Sequence, residues 1–300
     1  VSNWQLFSDF VRAELSAGGP DPQIALIVDL AEGNTDQEKV WLAGCYCAVH
    51  CIPSAYLTWR HWRPDQAYFN SDGMKTWLEV NWKALPVRPE MKSHRMLEKR
   101  TRCLKDFAQF ALEWSPSRAA MSYDELWKLS QNNVKYYGRY MAIKYLEFLR
   151  RLVAPHLEMP DMRAKGAWSP RKALQLLFPE ANHNPYDNSY RSVKDADWMV
   201  DQVVTRFSEE GITVNKFQLQ VLLCEFKEAL AGGFYPGGTH DEELDYMAIS
   251  AKGFDPYLFG PIYHSRRRLF SEELLGEVGG WNGIRKEKFQ VFRGAATQGV

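Results

Sequence analysis

The residues with the clearest chemical potential lie mid-chain, in Asn132–Tyr140 and the proline-free run RYMAIKYLEFLRRLV that follows Gly138. At 3.6 residues per turn this run predicts a helix with Met141, Ala142, Tyr145, Leu146, Phe148, Leu149, Leu152 and Val153 on one broad face. The other face carries Arg139, Tyr140, Ile143, Lys144, Glu147, Arg150 and Arg151, so four cations surround one carboxylate. Glu147 sits three residues after Lys144 and three and four before Arg150 and Arg151, within reach of ion pairing in both directions. Two readings fit: a solvated helix with ordinary surface pairs, or an anion-binding wall holding a single acid/base group. A glycine at the helix entrance, where backbone N–H groups are open to approach, speaks for the second.

Other stretches carry charge beside aromatic rings. Trp59-Arg60-His61-Trp62-Arg63-Pro64 alternates the two, which suits a surface for stacking and phosphate contact and equally suits the end of an amphipathic helix. Arg95, Lys99 and Arg102 fall in one row of a helix running to about Trp114, with Leu97, Leu104, Phe107 and Ala111 opposite. Such a row can follow a phosphate backbone or simply face water. In Asp161–Arg171, Ser169 is placed to cap a helix opening at Pro170, beside Arg163, Lys165 and Arg171, as a second anion site. Cys47, His50 and Cys51 share a helical face, but a zinc site needs a fourth ligand and a turn-borne knuckle, and core packing is the expected role.

The elements that position these groups are predicted to be helices throughout. Residues 3 to 16 form the first, closed by Ala17-Gly18-Gly19-Pro20. Asn34-Thr35-Asp36 caps a helix from Gln37 that is apolar nearly all round and therefore buried, and Pro53 ends or kinks it. Ser122 and Glu125 form a capping box for a helix to Leu129. Helices over 195–207 and 215–230 follow the loop 180–195, and a Gly/Pro-rich loop over 232–238 leads into a less regular tail. Strand alternation is nearly absent, so the chain reads as all-α, one helical domain or two lobes dividing near residue 130, with an irregular tail from about 256. The apolar faces of 40–52 and 141–153 are expected in one core.

Composition narrows the function classes. Lysine plus arginine equals aspartate plus glutamate at 37 each, so no global basic field draws the chain to nucleic acid and any such contact must use local patches. The eleven tryptophans are a surplus that serves stacking as well as packing. No apolar run of membrane-spanning length occurs, and the opening VSNWQLFSDFVRAEL reads as an amphipathic helix rather than a signal peptide. With five cysteines and no disulfide framework, an intracellular protein is expected. There is no G-x-x-x-x-G-K-[ST], G-x-G-x-x-G or G-x-S-x-G, and no H-x-E with P-C-x-x-C of zinc deaminases. Val278–Ile284 is a poor match to the turn of a helix-hairpin-helix glycosylase.

The segments YYGRYMAIKYLE, DMRAKGAWSPR and CIPSAYLTWRHW together resemble the amino acid:DNA transferases of bacteriophages. These group with the α-glutamyl/putrescinyl thymine pyrophosphorylases in a helical superfamily similar to DNA glycosylases. The resemblance covers about residues 37 to 255 and rests on overall pattern. It implies a glycosylase-like helical bundle that acts on double-stranded DNA carrying a modified thymine, in the cytoplasm of an infected host. The implied step is displacement of pyrophosphate from 5-pyrophosphomethyl-uracil by an amine, a free amino acid such as glycine or a polyamine. A divalent metal accompanying the pyrophosphate is compatible with it.

The residues suit that chemistry as follows. A departing polyanion needs fixed positive charge, available from Arg139, Lys144 and Arg171 with the helix entrances at Gly138 and Ser169. The amine must be neutral to attack, which makes Glu147 the candidate base, although cations around it should lower its pKa and turn it into an orienter of arginines. A base extruded from the duplex would stack on Tyr136, Tyr137, Trp59 or Trp168. Backbone contacts fall to Arg60, His61, Arg63, Arg95, Lys99 and Arg102. Two other classes stay open: a glycosylase using an acid such as Asp187, and a non-catalytic helical DNA-binding protein.

Overall fold

The computed structural model describes residues 2–88 and 96–275, and among these every regular element is helical. In chain order they are α1 (Asn3–Ser16), α2 (Pro22–Leu30), α3 (Asp36–Val49), α4 (Ile52–His61), α5 (Pro64–Phe69), α6 (Ser71–Asn81) and α7 (Leu97–Leu112). There follow α8 (Pro116–Ala119), α9 (Tyr123–Asn133), α10 (Arg139–Leu152), α11 (Trp168–Leu177), α12 (Tyr190–Glu209), α13 (Lys216–Leu230), α14 (Gly238–Ala251), α15 (Gly260–Leu269) and α16 (Glu272–Leu275). The all-α expectation holds.

The caps explain the boundaries. Thr35 and Glu38 make reciprocal bonds at the start of α3, as do Ser122 and Glu125 at α9 and Asn215 and Gln218 at α13. α3 ends at His50, whose backbone is left-handed (φ 51°), and Pro53 lies in the first turn of α4, where its missing N–H costs nothing. Ser169 does not cap: α11 opens two residues earlier than expected, at Trp168, behind Ala167, with no side-chain cap.

The helices gather into two compact units. The first combines the N-terminal residues to Pro22 with Met159–Asp241. Its core joins Phe7 and Phe10 of α1 to Phe207 of α12 and Phe226 of α13, with the Phe7 and Phe226 rings 4.9 Å apart. The second unit holds Gln23–Glu158 and, among the described residues, those from Glu242 to Leu275. Its axis is α3, buried at every position from Val40 to Val49. Gly44 is required there: a Cβ would lie 2.7 Å from Cβ of Phe107, so glycine lets α7 close against α3. α10 packs on the same axis, with Tyr46 and Phe148 rings 5.1 Å apart. The shared core of 40–52 and 141–153 is therefore as expected.

One stretch departs from the sequence reading. The chain after Gly238, expected to be less regular and irregular from about 256, carries the regular helices α14 and α15. The run of acids in α14 (Asp241, Glu242, Glu243, Asp245) hides the helical period. No helix is long and apolar enough to cross a membrane among the described residues.

Candidate functional site

The polar side of α10 is not solvated. Residues 141 to 149 are all buried, Lys144 and Glu147 included, at 2% and 3% exposure. The helix is covered on one side by α3 and on another by α9, so its two-faced pattern does not divide inside from outside. Glu147 Oε2 accepts no hydrogen bond among the described residues. Removal from water raises its pKa, against the lowering by Lys144, Arg151 and Arg150. The expected lowering is thus corrected: desolvation outweighs the cations, and the carboxylate gains strength as a base. Lys144 Nζ lies 5.8 Å from the Tyr140 ring. Arg139, the first residue of α10, stands half-buried at the positive end of the helix dipole, where a cation does not favour the helix and adds to the field an anion would meet. A Cβ on Gly138 would meet nothing within 4 Å, so the protein itself does not demand this glycine.

The tyrosines before the helix separate. Tyr136 is partly exposed with a left-handed backbone (φ 58°) and lies under Lys99, 5.5 Å away. Tyr137 is buried against Phe107 and Tyr145, which removes it from the candidates for stacking on a base.

A second polar group in the same unit went unread in the sequence. Arg88 is 8% exposed, and its Nη2 lies 2.8 Å from Glu242 Oε2 and 3.7 Å from Glu243 Oε1. The short contact is an ion pair whose N–H is not aligned for a hydrogen bond. Glu243 Oε2 accepts from the Ile52 N–H, 3.0 Å away, at the start of α4, while Oε1 has no hydrogen-bond partner. Burial lifts the Glu243 pKa to about 7, with Arg88 and the Ile52 N–H opposing. Rings connect this group to α10: Tyr46 to His50 (5.3 Å) and His50 to Tyr140 (5.6 Å). No motif could have signalled it, since Ile52 and Glu243 are 191 residues apart.

The cationic rows are mixed. Arg60, His61 and Arg63 are exposed, with Arg60 over Trp59 (5.9 Å), His61 stacked on Trp77 (4.7 Å) and Arg63 beside Asp65 (3.6 Å). Arg102 is exposed and paired with Glu98 on its own helix. Arg95 lies outside the described residues, as does Val278–Ile284. Arg100, on the same helix, is inside: it is 1% exposed with its guanidinium 4.0 Å over Trp82, and burial pulls its pKa down to about 9.

In the first unit, Arg171 is a brace rather than an anion ligand. Its guanidinium donates to His183 Nε2 (3.1 Å), Asn184 O (2.9 Å), Asp187 O (2.6 Å) and Ser192 Oγ (2.6 Å), pinning the loop that follows α11. Asp187 turns its carboxylate to the backbone N–H and hydroxyl of Ser189, which lower its pKa and weaken any case for it as an acid. The braced loop presents Tyr186 6.1 Å from the exposed Trp168, with Lys172 5.0 Å from the Tyr186 ring. Cys45, Cys47, Cys51 and Cys103 are buried thiols outside any disulfide, and no three His, Cys, Asp or Glu side chains among the described residues are grouped to hold a metal.

A model of the amino acid:DNA transferase family matches residues 20–232, and the chain belongs to that family. No curated protein and no solved structure matches.

Proposed function

We propose that this amino acid:DNA transferase joins a free amino acid, such as glycine, to 5-pyrophosphomethyl-uracil in DNA, with α10 as the wall of the reaction site. The supporting observation is the burial of Lys144 and Glu147 on one helix whose entrance carries Arg139 and an open glycine. The amine lone pair forms a bond to the 5-methylene carbon as the carbon–oxygen bond breaks, and pyrophosphate leaves with that electron pair. Glu147, kept dry and made more basic, takes the proton of the amine. Arg139, Lys144 and the α10 N-terminus meet the charge on the departing oxygens, where fixed donors count most. A polyamine donor is the neighbouring possibility within this chemistry. Tyr136, exposed just before α10, offers a ring for an unstacked base, and Arg60, Arg63, Lys99 and Arg102 offer backbone contacts. The setting that goes with such a substrate is the cytoplasm of a phage-infected bacterium.

The test is mass spectrometry of nucleosides from 5-pyrophosphomethyl-uracil DNA incubated with the protein and mixed amino acids. Expected is a deoxyuridine whose 5-methylene carries the amino acid through its α-nitrogen, with release of pyrophosphate. Release of free base would replace this reading by a glycosylase, and an unchanged nucleoside would leave a DNA-binding protein.

A further inference from the structure

We infer that Arg88 and Glu243 form the binding site for the α-amino acid donor, Arg88 holding its carboxylate and Glu243 its amino group. This rests on the amino-acid transfer proposed above and supplies the place where the donor is taken up before its amine meets Glu147. The two side chains are buried, yet their hydrogen-bonding capacity is unused in a complementary way. Arg88 Nε and Nη2 are donors without an aligned acceptor, and Glu243 Oε1, 3.7 Å from Nη2, is an acceptor without a donor. Buried polar atoms are nearly always satisfied, so a matched pair of open ones marks a place where a ligand completes the set. An α-amino acid brings both halves: a carboxylate for the guanidinium fork and an ammonium for the carboxylate, two bonds apart.

The rest of the group holds this pair in place. Glu242 meets Arg88 from one side and receives the Tyr246 hydroxyl at 2.7 Å. The Ile52 N–H fixes Glu243 through its other oxygen, leaving Oε1 directed at the arginine. The His50 ring lies 5.6 Å from that of Tyr140, in the first turn of α10. A diamine would fill the Glu243 half and leave Arg88 unanswered, so the site selects a carboxylate-bearing amine. A purely structural ion pair would need no such open atoms.

The experiment is calorimetric titration of the full chain with each of the common amino acids, and with the matching amines that lack the carboxylate, in the presence and absence of duplex DNA. At least one amino acid should bind about tenfold or more tightly than its decarboxylated amine, the worth of one charge-assisted bond. Arg88→Gln should abolish that preference. Glu243→Gln, which keeps the bond to Ile52, should weaken amino acid and amine alike. Arg88→Lys keeps the charge without the fork and should recover part of the preference, which separates binding from a failure to fold. Absence of amino-acid binding under both conditions overturns the site, as does binding that Arg88→Gln and Glu243→Gln leave unchanged. In the transfer assay, wild-type KM for the amino acid in both variants overturns the site while the transfer reading stands. Amino-acid binding that depends on Arg88, without product on modified DNA, retains the site and removes the transfer reading.

Discussion

Arg171 and Arg88 are both buried arginines, one in each compact unit, and their surroundings could hardly differ more. Arg171 donates to two backbone carbonyls and a histidine nitrogen of the loop it anchors and to a serine hydroxyl in the first turn of α12. Arg88 is surrounded by carboxylates that it touches without aligned hydrogen bonds. The first arrangement is complete and its product is rigidity. The second is incomplete, with buried charge left for something else to answer. Burial alone therefore does not separate a structural arginine from one that serves chemistry, whereas the state of its partners does.

Substitutions can break or sharpen this contrast. The largest effect belongs to the incomplete region. Arg139→Ala should lower turnover about a hundredfold or more, with DNA affinity changed only modestly, because one fixed contact to the departing charge is lost. Glu147→Gln should be comparably damaging near neutral pH. If the carboxylate is the base, part of the activity returns in alkaline buffer, where the amine loses its own proton (peptide α-amino groups titrate near 8 and free amino acids higher). A loss equal at every pH would make Glu147 a positioning residue. These are read from single-turnover rates on modified DNA.

Next comes stability. Arg171→Met strands several acceptors of the 184–192 loop and should cost about 3 kcal/mol in a denaturant titration. The double change Arg88→Met with Glu243→Gln should cost less than about 1 kcal/mol, since removing both halves of a buried ion pair is often neutral or stabilising. If the two variants are destabilised equally, the contrast between the regions fails.

The acid side gives a third measure. Glu243 titrates near 7 in the folded chain against an ordinary 4.5, so the folded state binds the extra proton. Its contribution is fully present below about pH 4.5 and is lost as pH rises through 7, amounting to about 3 kcal/mol for a shift of that size. Glu243→Gln should flatten the stability–pH curve over that interval. An unchanged curve would place the titrating group elsewhere.

The smallest effects lie on the surface. Reversing Lys99 and Arg102 together should weaken DNA binding for all sequences alike and reduce the salt slope by about 2. Arg151→Ala, at an exposed position, should alter turnover less than about twofold. A large loss in the latter would bring the outer turn of α10 into the site.

Much of the helical plan was legible because it depends on neighbours in sequence. Ser122 with Glu125 and Asn215 with Gln218 declare their helix starts three residues apart, and the apolar run after Gln37 declares a buried helix. The candidate wall on α10 was legible for the same reason. What it faces was not, because periodicity reports two sides of a helix and cannot say that both are covered. Hence the direction of the Glu147 shift was misjudged, and Tyr137 was offered for stacking when it lies within. Arg171 looked like an anion ligand because its loop partners include backbone carbonyls, which leave no mark in a sequence. Glu243 stands among neighbouring acids, and only its partner in α4 distinguishes it.

That partner also sets an order of assembly. Cys51 supplies no side-chain cap to α4, and the Ile52 N–H is answered by Glu243, 191 residues further along the chain. During synthesis at about 5–20 residues per second, the ribosome needs on the order of 10–40 s to deliver that carboxylate after Ile52 has been made. Until then the first turn of α4 has only water to satisfy it. The nascent chain thus completes its second unit late, and a product arrested before residue 242 would carry α4 with that turn unclosed.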